Sequence, residues 1–248
     1  MTAQAQVRAE LLKLRTLRSS IWLLVAGAGI SALALSGAVA SGAFTDLELA
    51  TDDGLRFVLG HGGVGAILPL VLGILISAGE YRQGTVVDTF LTQPRRARVV
   101  VAKLVTGGVV GLVAGVVTCL ATVVATIAWY AAKDIDLDLT SDVAIRSLVG
   151  VSLWSLVYAA LGVAIGAVIR TPPAAIVAAV VWLFVVENAL AGLAVDVGRW
   201  LPGTAATGLG NSPVPGLLSQ TGSGLVLLGW TAAAAAVGAL VTRRRDVT

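Results

Sequence analysis

Six long apolar runs constrain this sequence more than any other feature. Each has no charge, or a single charge, over about the length that a helix needs to cross a hydrocarbon core of about 30 Å. The runs cover residues 21–44, 57–79, 104–132, 147–169, 174–195 and 225–242. A lipid-exposed backbone must satisfy its own polar groups, and the runs are continuous rather than alternating, so they predict α-helices and exclude a β-barrel. We therefore expect an all-α integral membrane protein in which residues 1–248 form a single transmembrane domain.

The second run begins with a glycine-rich stretch, residues 60–65, that favours helix poorly and is expected to be irregular. Gly60, Gly62 and Gly65 also match a nucleotide-binding glycine pattern. The stretch follows no predicted strand and lies at a membrane boundary, so flexible or close-packed backbone is the better interpretation. The single Cys and the single His make a disulfide framework or a Cys/His metal cluster implausible.

The distribution of basic residues predicts the orientation. If both termini lie in the cytoplasm, only Arg56, Lys133, Arg146 and Arg199 of the 17 Lys and Arg residues lie outside. Acidic residues show the reverse bias and concentrate in the first two outer loops. Positive charge on the inner loops fixes topology, so both termini are expected to be cytoplasmic. The net charge of +3 then reflects membrane orientation, and no nucleic-acid partner is expected.

Residues 7–19 favour a helix that lies on the inner membrane surface. Leu11 and Leu14 share its apolar face, whereas Arg8, Lys13 and Arg15 project elsewhere. A basic anchor for the first span explains the same residues, and both interpretations stay open.

The segment between the second and third runs, residues 80–103, predicts a short helix. Gly84 ends the incoming helix, and Thr85 with Asp88 forms a capping-box pattern. Phe90 and Leu91 follow valines at a spacing of four residues on one face, and a proline at position 94 prevents continuation.

A helix of two turns is too short to be stable alone, so this one must pack against another surface. That surface is either its own membrane domain or a cytoplasmic partner, and the residues leave both possibilities open. Glu80, Tyr81 and Arg82, which precede the helix, would suit a polar interface.

Glu187 is the only acid within a predicted span. Because a charge in the membrane is costly, Glu187 should face protein or water. It could contact a cationic substrate, shape an outer gate or carry a proton, although a helix-packing role is favoured. His61 is a proton carrier by residue type only, and an interfacial role is favoured.

Glycines at a spacing of four residues predict close helix packing in lipid. They are Gly107, Gly111 and Gly115 in the third run, with Gly162 and Gly166 in the fourth. Packing within one protomer is favoured over packing between two.

The chain resembles an ABC-2 type transporter permease, the membrane-spanning subunit of an ATP-binding-cassette transporter. The resemblance rests on six spans, residues 10–15 before a Trp-containing first span, and above all residues 80–85. Residues 94–96 and 102–104, and Glu187 followed by Leu201 and Pro202, also resemble the family.

The resemblance implies an exporter permease that forms the translocation path with a second permease, expected to be another copy of this chain, and engages two separate ATPase subunits. The lack of disulfides and the basic cytoplasmic face are compatible with a bacterial cytoplasmic membrane. Residues 85–93 would be its coupling helix and residues 7–19 its connecting helix, while Glu80 and Arg82 would lie near the junction that transmits ATPase movement. The sequence has no phosphate-binding loop, so no cofactor is expected in this chain, and ATP and Mg would bind the partner ATPase. Two alternatives remain: a proton-coupled secondary transporter that uses Glu187 and His61, and a non-transporting scaffold or immunity protein.

Overall fold

A computed structural model describes residues 12, 18–42, 44–85, 96–193 and 195–244. Throughout these ranges the regular elements are helices, and six are long and apolar enough to cross a membrane. We number them as spans one to six: Ile21–Ala40, Asp52–Gln83, Arg98–Ala132, Asp142–Ile169, Pro172–Leu193 and Gln220–Thr242. The predicted all-α fold with six spans is confirmed.

The second span differs most from its predicted form. It consists of an α-helix, Asp52–Gly60, a 3₁₀ helix, His61–Ala66, and a further α-helix, Ile67–Gln83. The glycine-rich stretch expected to be irregular is therefore helical. Ser31 of the first span holds it there, because its hydroxyl donates to Gly62 O at 3.0 Å and accepts from Gly65 N at 2.9 Å.

The remaining helices extend past several predicted bounds. The first helix covers Arg18–Ala40, the third covers Arg96–Ala132, and the last covers Gln220–Arg244. The segment predicted as the loop 80–103 is therefore shorter, since both of its ends are helical. Short helices Asp46–Leu49, Val195–Gly198 and Pro202–Leu209 lie between spans, and we call the last of these the Pro202 helix.

The fourth span lies at the centre of the bundle. It packs against the second, third and sixth spans, while the first span packs against the third and against the 3₁₀ helix. Leu70 and Ile74 of the second span and Val163 of the fourth are almost fully buried. Few residues of the fifth and sixth spans are buried within the bundle.

Glycines bring the central helices into backbone contact. A methyl group on Gly111 would approach Ser155 O to 2.4 Å, and one on Gly115 would approach Ser152 Cα to 2.7 Å. Towards the second span, a methyl group on Gly162 of the fourth span would lie 2.0 Å from Leu70 O. Further contacts of this kind involve Gly107 against Val163, and Gly166 against Ile74. These glycines therefore contact helices of the same chain.

The bundle has two ends. One carries the connections between spans one and two, three and four, and five and six, and we call it the loop end. There Tyr130 donates to Leu49 O at 2.8 Å, and Trp230 Nε1 donates to Trp200 O at 2.9 Å. The opposite end contains Glu80, and we call it the Glu80 end.

Candidate functional site

A buried ion pair joins the second and third spans at the Glu80 end. Lys103 Nζ lies 2.9 Å from Glu80 Oε1 and donates to Ile76 O at 2.9 Å. Glu80 is 8% exposed and Lys103 is 5% exposed. Buried charges are tolerated only when they are paired and hydrogen-bonded, and this pair joins the two helices at this end of the bundle. The two residues lie on either side of the segment predicted to contain the short helix.

The second span ends where the sequence predicted. Gly84 has a φ of 72°, a left-handed conformation that glycine adopts without strain and that is common at helix C-termini. Arg82 and Thr85 beside it are exposed. Asp88, Phe90 and Leu91 lie outside the described residues, as do Arg8, Leu11, Lys13, Leu14 and Arg15 at the N-terminus. The predicted coupling and connecting helices therefore stay predictions.

Arg170 links three helix ends beside this pair. It ends the fourth span in a left-handed conformation with a φ of 60°, which is uncommon for a residue with a side chain. Its guanidinium carbon lies 4.8 Å from the centre of the Tyr81 ring, and its Nη2 donates to Val241 O at 3.3 Å. The sequence indicated Arg170 and Lys103 only as inner positive charges. A lone Lys at the edge of an apolar run could have prompted a search for its counter-charge.

A second candidate site surrounds Glu187 in the loop-end half of the bundle. A π-helical turn, Trp182–Val186, precedes this residue, so that its N–H donates to Trp182 O, five residues earlier. Such single π turns widen a helix and are frequent at functional sites. Glu187 is 4% exposed.

One oxygen of Glu187 caps the Pro202 helix. Gly203 N donates to Glu187 Oε2 at 2.7 Å, and Leu201 at the start of that helix provides no side-chain cap. A carboxylate at a helix N-terminus is favoured by the unsatisfied N–H groups and by the helix dipole. A methyl group on Gly203 would approach Oε2 to 2.6 Å, so the contact depends on glycine at that position.

The other oxygen, Oε1, faces a different environment. It is buried and has no hydrogen-bond partner within the described ranges. The carboxylate lines a cavity of about 400 Å³ between the second, fourth and fifth spans and the Pro202 helix. The side chains that matter most for its chemistry are those of Trp154, Tyr158, Leu183, Phe184, Glu187 and Asn188.

Glycines shape the wall of this cavity. The Trp154 ring lies directly on Gly63, where a methyl group would approach Cζ3 to 1.9 Å, and close to Gly210. Trp154 and Tyr158 stack edge to face with ring centres 5.7 Å apart. Part of the glycine-rich stretch at the start of the second span therefore serves close packing around the aromatic wall.

His61 and Cys119 lie outside the cavity. His61 Nδ1 is 2.7 Å from Phe57 O, and its ring packs against the Phe57 ring. Cys119 Sγ contacts Leu148 O and Ser152 Oγ. In the ranges that the structure covers, no group of three or more His, Cys, Asp and Glu residues could hold a metal ion.

Comparison with known families defines the class of protein. The family model described as ABC-2 family transporter protein matches residues 31–247, from the first span to the end of the sixth. The chain belongs to this family of membrane-spanning transporter components, which lack a nucleotide-binding domain. A comparison with curated proteins found no significant match.

Proposed function

We propose that this chain is the permease subunit of an ATP-binding-cassette exporter. The observation that carries the proposal is the family match over residues 31–247, together with six apolar spans. Members of the family generally work with ABC ATPase partners, so two separate ATPase subunits would supply the energy and would bind ATP and Mg. The chain itself would form the translocation path.

Residues 85–93 are proposed as the coupling helix that receives ATPase movement, and residues 7–19 as the connecting helix. The support for the coupling helix comes from the contacts that join the neighbouring helix ends at the Glu80 end. Because Glu80 and Lys103 are paired and buried, a force on the intervening segment would move the second and third spans together. Arg170 would pass that movement to the ends of the fourth and sixth spans through Tyr81 and Val241.

The Glu80 end is proposed to face the cytoplasm of a bacterial cell. The support is the positive-inside distribution of Lys and Arg. A second copy of the chain is proposed to complete the path.

A proton-coupled secondary transporter has less support. That alternative uses His61 and Glu187 as a proton pair. His61 contacts Phe57 O and is not among the residues that line the Glu187 cavity.

Affinity purification tests the coupling proposal. The tagged chain is isolated from its host membrane, and co-purifying proteins are identified by mass spectrometry. We expect an ABC ATPase, and we expect Phe90→Asp with Leu91→Asp to release it because the coupling helix would lose its apolar face. Leu47→Asp is the control, since Leu47 is 81% exposed at the loop end. An ATPase that stays bound to the double variant contradicts the proposed coupling helix.

Cysteine labelling tests the orientation. In a Cys119→Ala background, Thr85→Cys and Leu47→Cys place single thiols at exposed positions on opposite ends of the bundle. A membrane-impermeant maleimide added to intact cells should label Leu47→Cys and leave Thr85→Cys unlabelled until the cells are opened. The reverse pattern contradicts the orientation.

A further inference from the structure

One oxygen of Glu187 is buried without a hydrogen-bond partner among the described residues and lies in a side chain that lines a cavity. A buried acceptor without a partner is costly, so nearly all such groups in folded proteins are satisfied by protein, water or ligand. The role of Glu187 as a cap for the Pro202 helix occupies Oε2 and leaves Oε1 buried without a hydrogen-bond partner among the described residues, in a side chain that lines the cavity. Capping alone therefore does not explain why a carboxylate, with two oxygens, occupies this position.

The charge of the cavity is of one sign. Among the described residues that line it, Glu187 is the only carboxylic acid, and none is Lys, Arg or His. In its ionised form, a buried carboxylate that lacks a countercharge attracts a cation strongly, because the surrounding medium screens the attraction poorly, and a bound cation in turn favours the ionised form over the protonated one.

The walls of the cavity suit an organic cation rather than a metal ion. Trp154, Tyr158 and Phe184 present aromatic rings, which attract ammonium and other organic cations through their electron-rich faces. A hard metal ion needs several oxygen ligands, whereas this lining offers a single carboxylate. A volume of about 400 Å³ lies within the range of small-molecule sites.

The rim gives such a ligand a way in. Phe184 is 62% exposed and Asn188 is exposed, so the cavity opens along the free side of the fifth span. A cation with an apolar body could enter from that side and place its charge near Oε1.

We propose that the cavity around Glu187 binds an amphipathic organic cation, with Glu187 Oε1 as its counter-ion and Trp154, Tyr158 and Phe184 as its aromatic wall. That the bound cation is the exported substrate rests on the proposed permease function. Binding itself does not require the ATPase.

Equilibrium dialysis with tritiated tetraphenylphosphonium tests the proposal on the full chain in nanodiscs, with empty nanodiscs as background. We expect saturable binding, and we expect Glu187→Gln to weaken it by about tenfold or more through loss of the charge. The matched control is Asp196→Asn, which removes a carboxylate whose side chain is 93% exposed and should change affinity by less than about twofold. Phe184→Leu, at an exposed site with little risk to folding, should weaken binding by about threefold.

Competition separates charge from shape. Benzyltrimethylammonium should displace the probe, whereas neopentylbenzene, which replaces its nitrogen by carbon, should not. Absence of saturable binding, equal affinity of Glu187→Gln and the parent chain, or equal displacement by both competitors overturns the proposal. If Glu187→Gln does not purify as a single species, Phe184→Leu and the competitor pair decide. An ATPase that co-purifies with a chain that binds no cation overturns this inference and leaves the proposed function standing.

Discussion

Removal of Lys103 tests the energetic importance of the buried ion pair. At 2.9 Å the attraction between Lys103 and Glu80 is about 6 kcal/mol at an effective dielectric constant of about 20, and desolvation of both charges offsets part of it. Lys103→Met leaves the Glu80 carboxylate buried without its main counter-charge, which costs about 3–5 kcal/mol. For a chain of this size we expect the melting temperature in detergent to fall by about 6–20 °C.

A double variant and a surface pair provide the comparison. Glu80→Gln combined with Lys103→Met removes both charges and should recover more than about half of the loss, so that the double-mutant cycle reports the coupling. Arg146→Met breaks a pair with Asp142 whose side chains are 63% and 75% exposed, and it should cost less than about 1 kcal/mol. The reasoning is refuted if Lys103→Met is no more destabilising than Arg146→Met, measured by tryptophan fluorescence on heating.

Three further predictions concern other sites. Gly203→Ala should push the Glu187 carboxylate away from the Pro202 helix and lower the free energy of unfolding by about 1–3 kcal/mol. Thermal unfolding measures this effect, and an unchanged melting temperature contradicts the capping contact. Gly73→Ala should destabilise the bundle strongly, because its methyl group would lie 2.0 Å from a carbonyl oxygen of the fourth span. Gly79→Ala meets open space among the described residues and should stabilise the bundle by up to about 1 kcal/mol. Equal melting temperatures of the two variants contradict this packing. Hydrogen bonds from the backbone and side chain of the threonine that caps the Asp46–Leu49 helix lower the pKa of Glu48. The stabilising effect of ionised Glu48 is therefore present above the ordinary carboxyl pKa and is lost as the pH falls through the lowered pKa. NMR of the Glu48 carboxyl group should find a titration midpoint below that of an unstructured peptide.

The fold was predictable because hydrophobicity alone places a helix in a membrane. The span bounds were less predictable, since polar residues at helix ends are held by local caps. Thr51 accepts from Gly54 N at 3.1 Å and Ser141 accepts from Ala144 N at 3.2 Å, so the second and fourth spans begin before their apolar runs. Their short polar side chains identify them as caps only after the helix is known.

The sequence could single out individual residues of the candidate sites by their type, but it could not predict which residues they contact. An acid in a span indicates a special environment, so Glu187 stood out, but its contact with Gly203 depends on a π turn and on a helix from a different segment. The partnership of Glu80 with Lys103 depends on how two helices align across a long connection. Neither the Glu187–Gly203 contact nor the Glu80–Lys103 pair can be read from a periodic pattern in the sequence.

The glycine contacts of the fourth span have a mechanical consequence. Sliding this helix would bring side chains of the second and third spans against its backbone carbonyl oxygens, whereas the Glu187 carboxylate of the fifth span accepts a hydrogen bond from the Pro202 helix. The fourth span at the centre of the bundle is therefore held more tightly by its neighbours than the fifth span beside it. We therefore expect the fifth span, which borders the Glu187 cavity, to move at a smaller energetic cost than the fourth span.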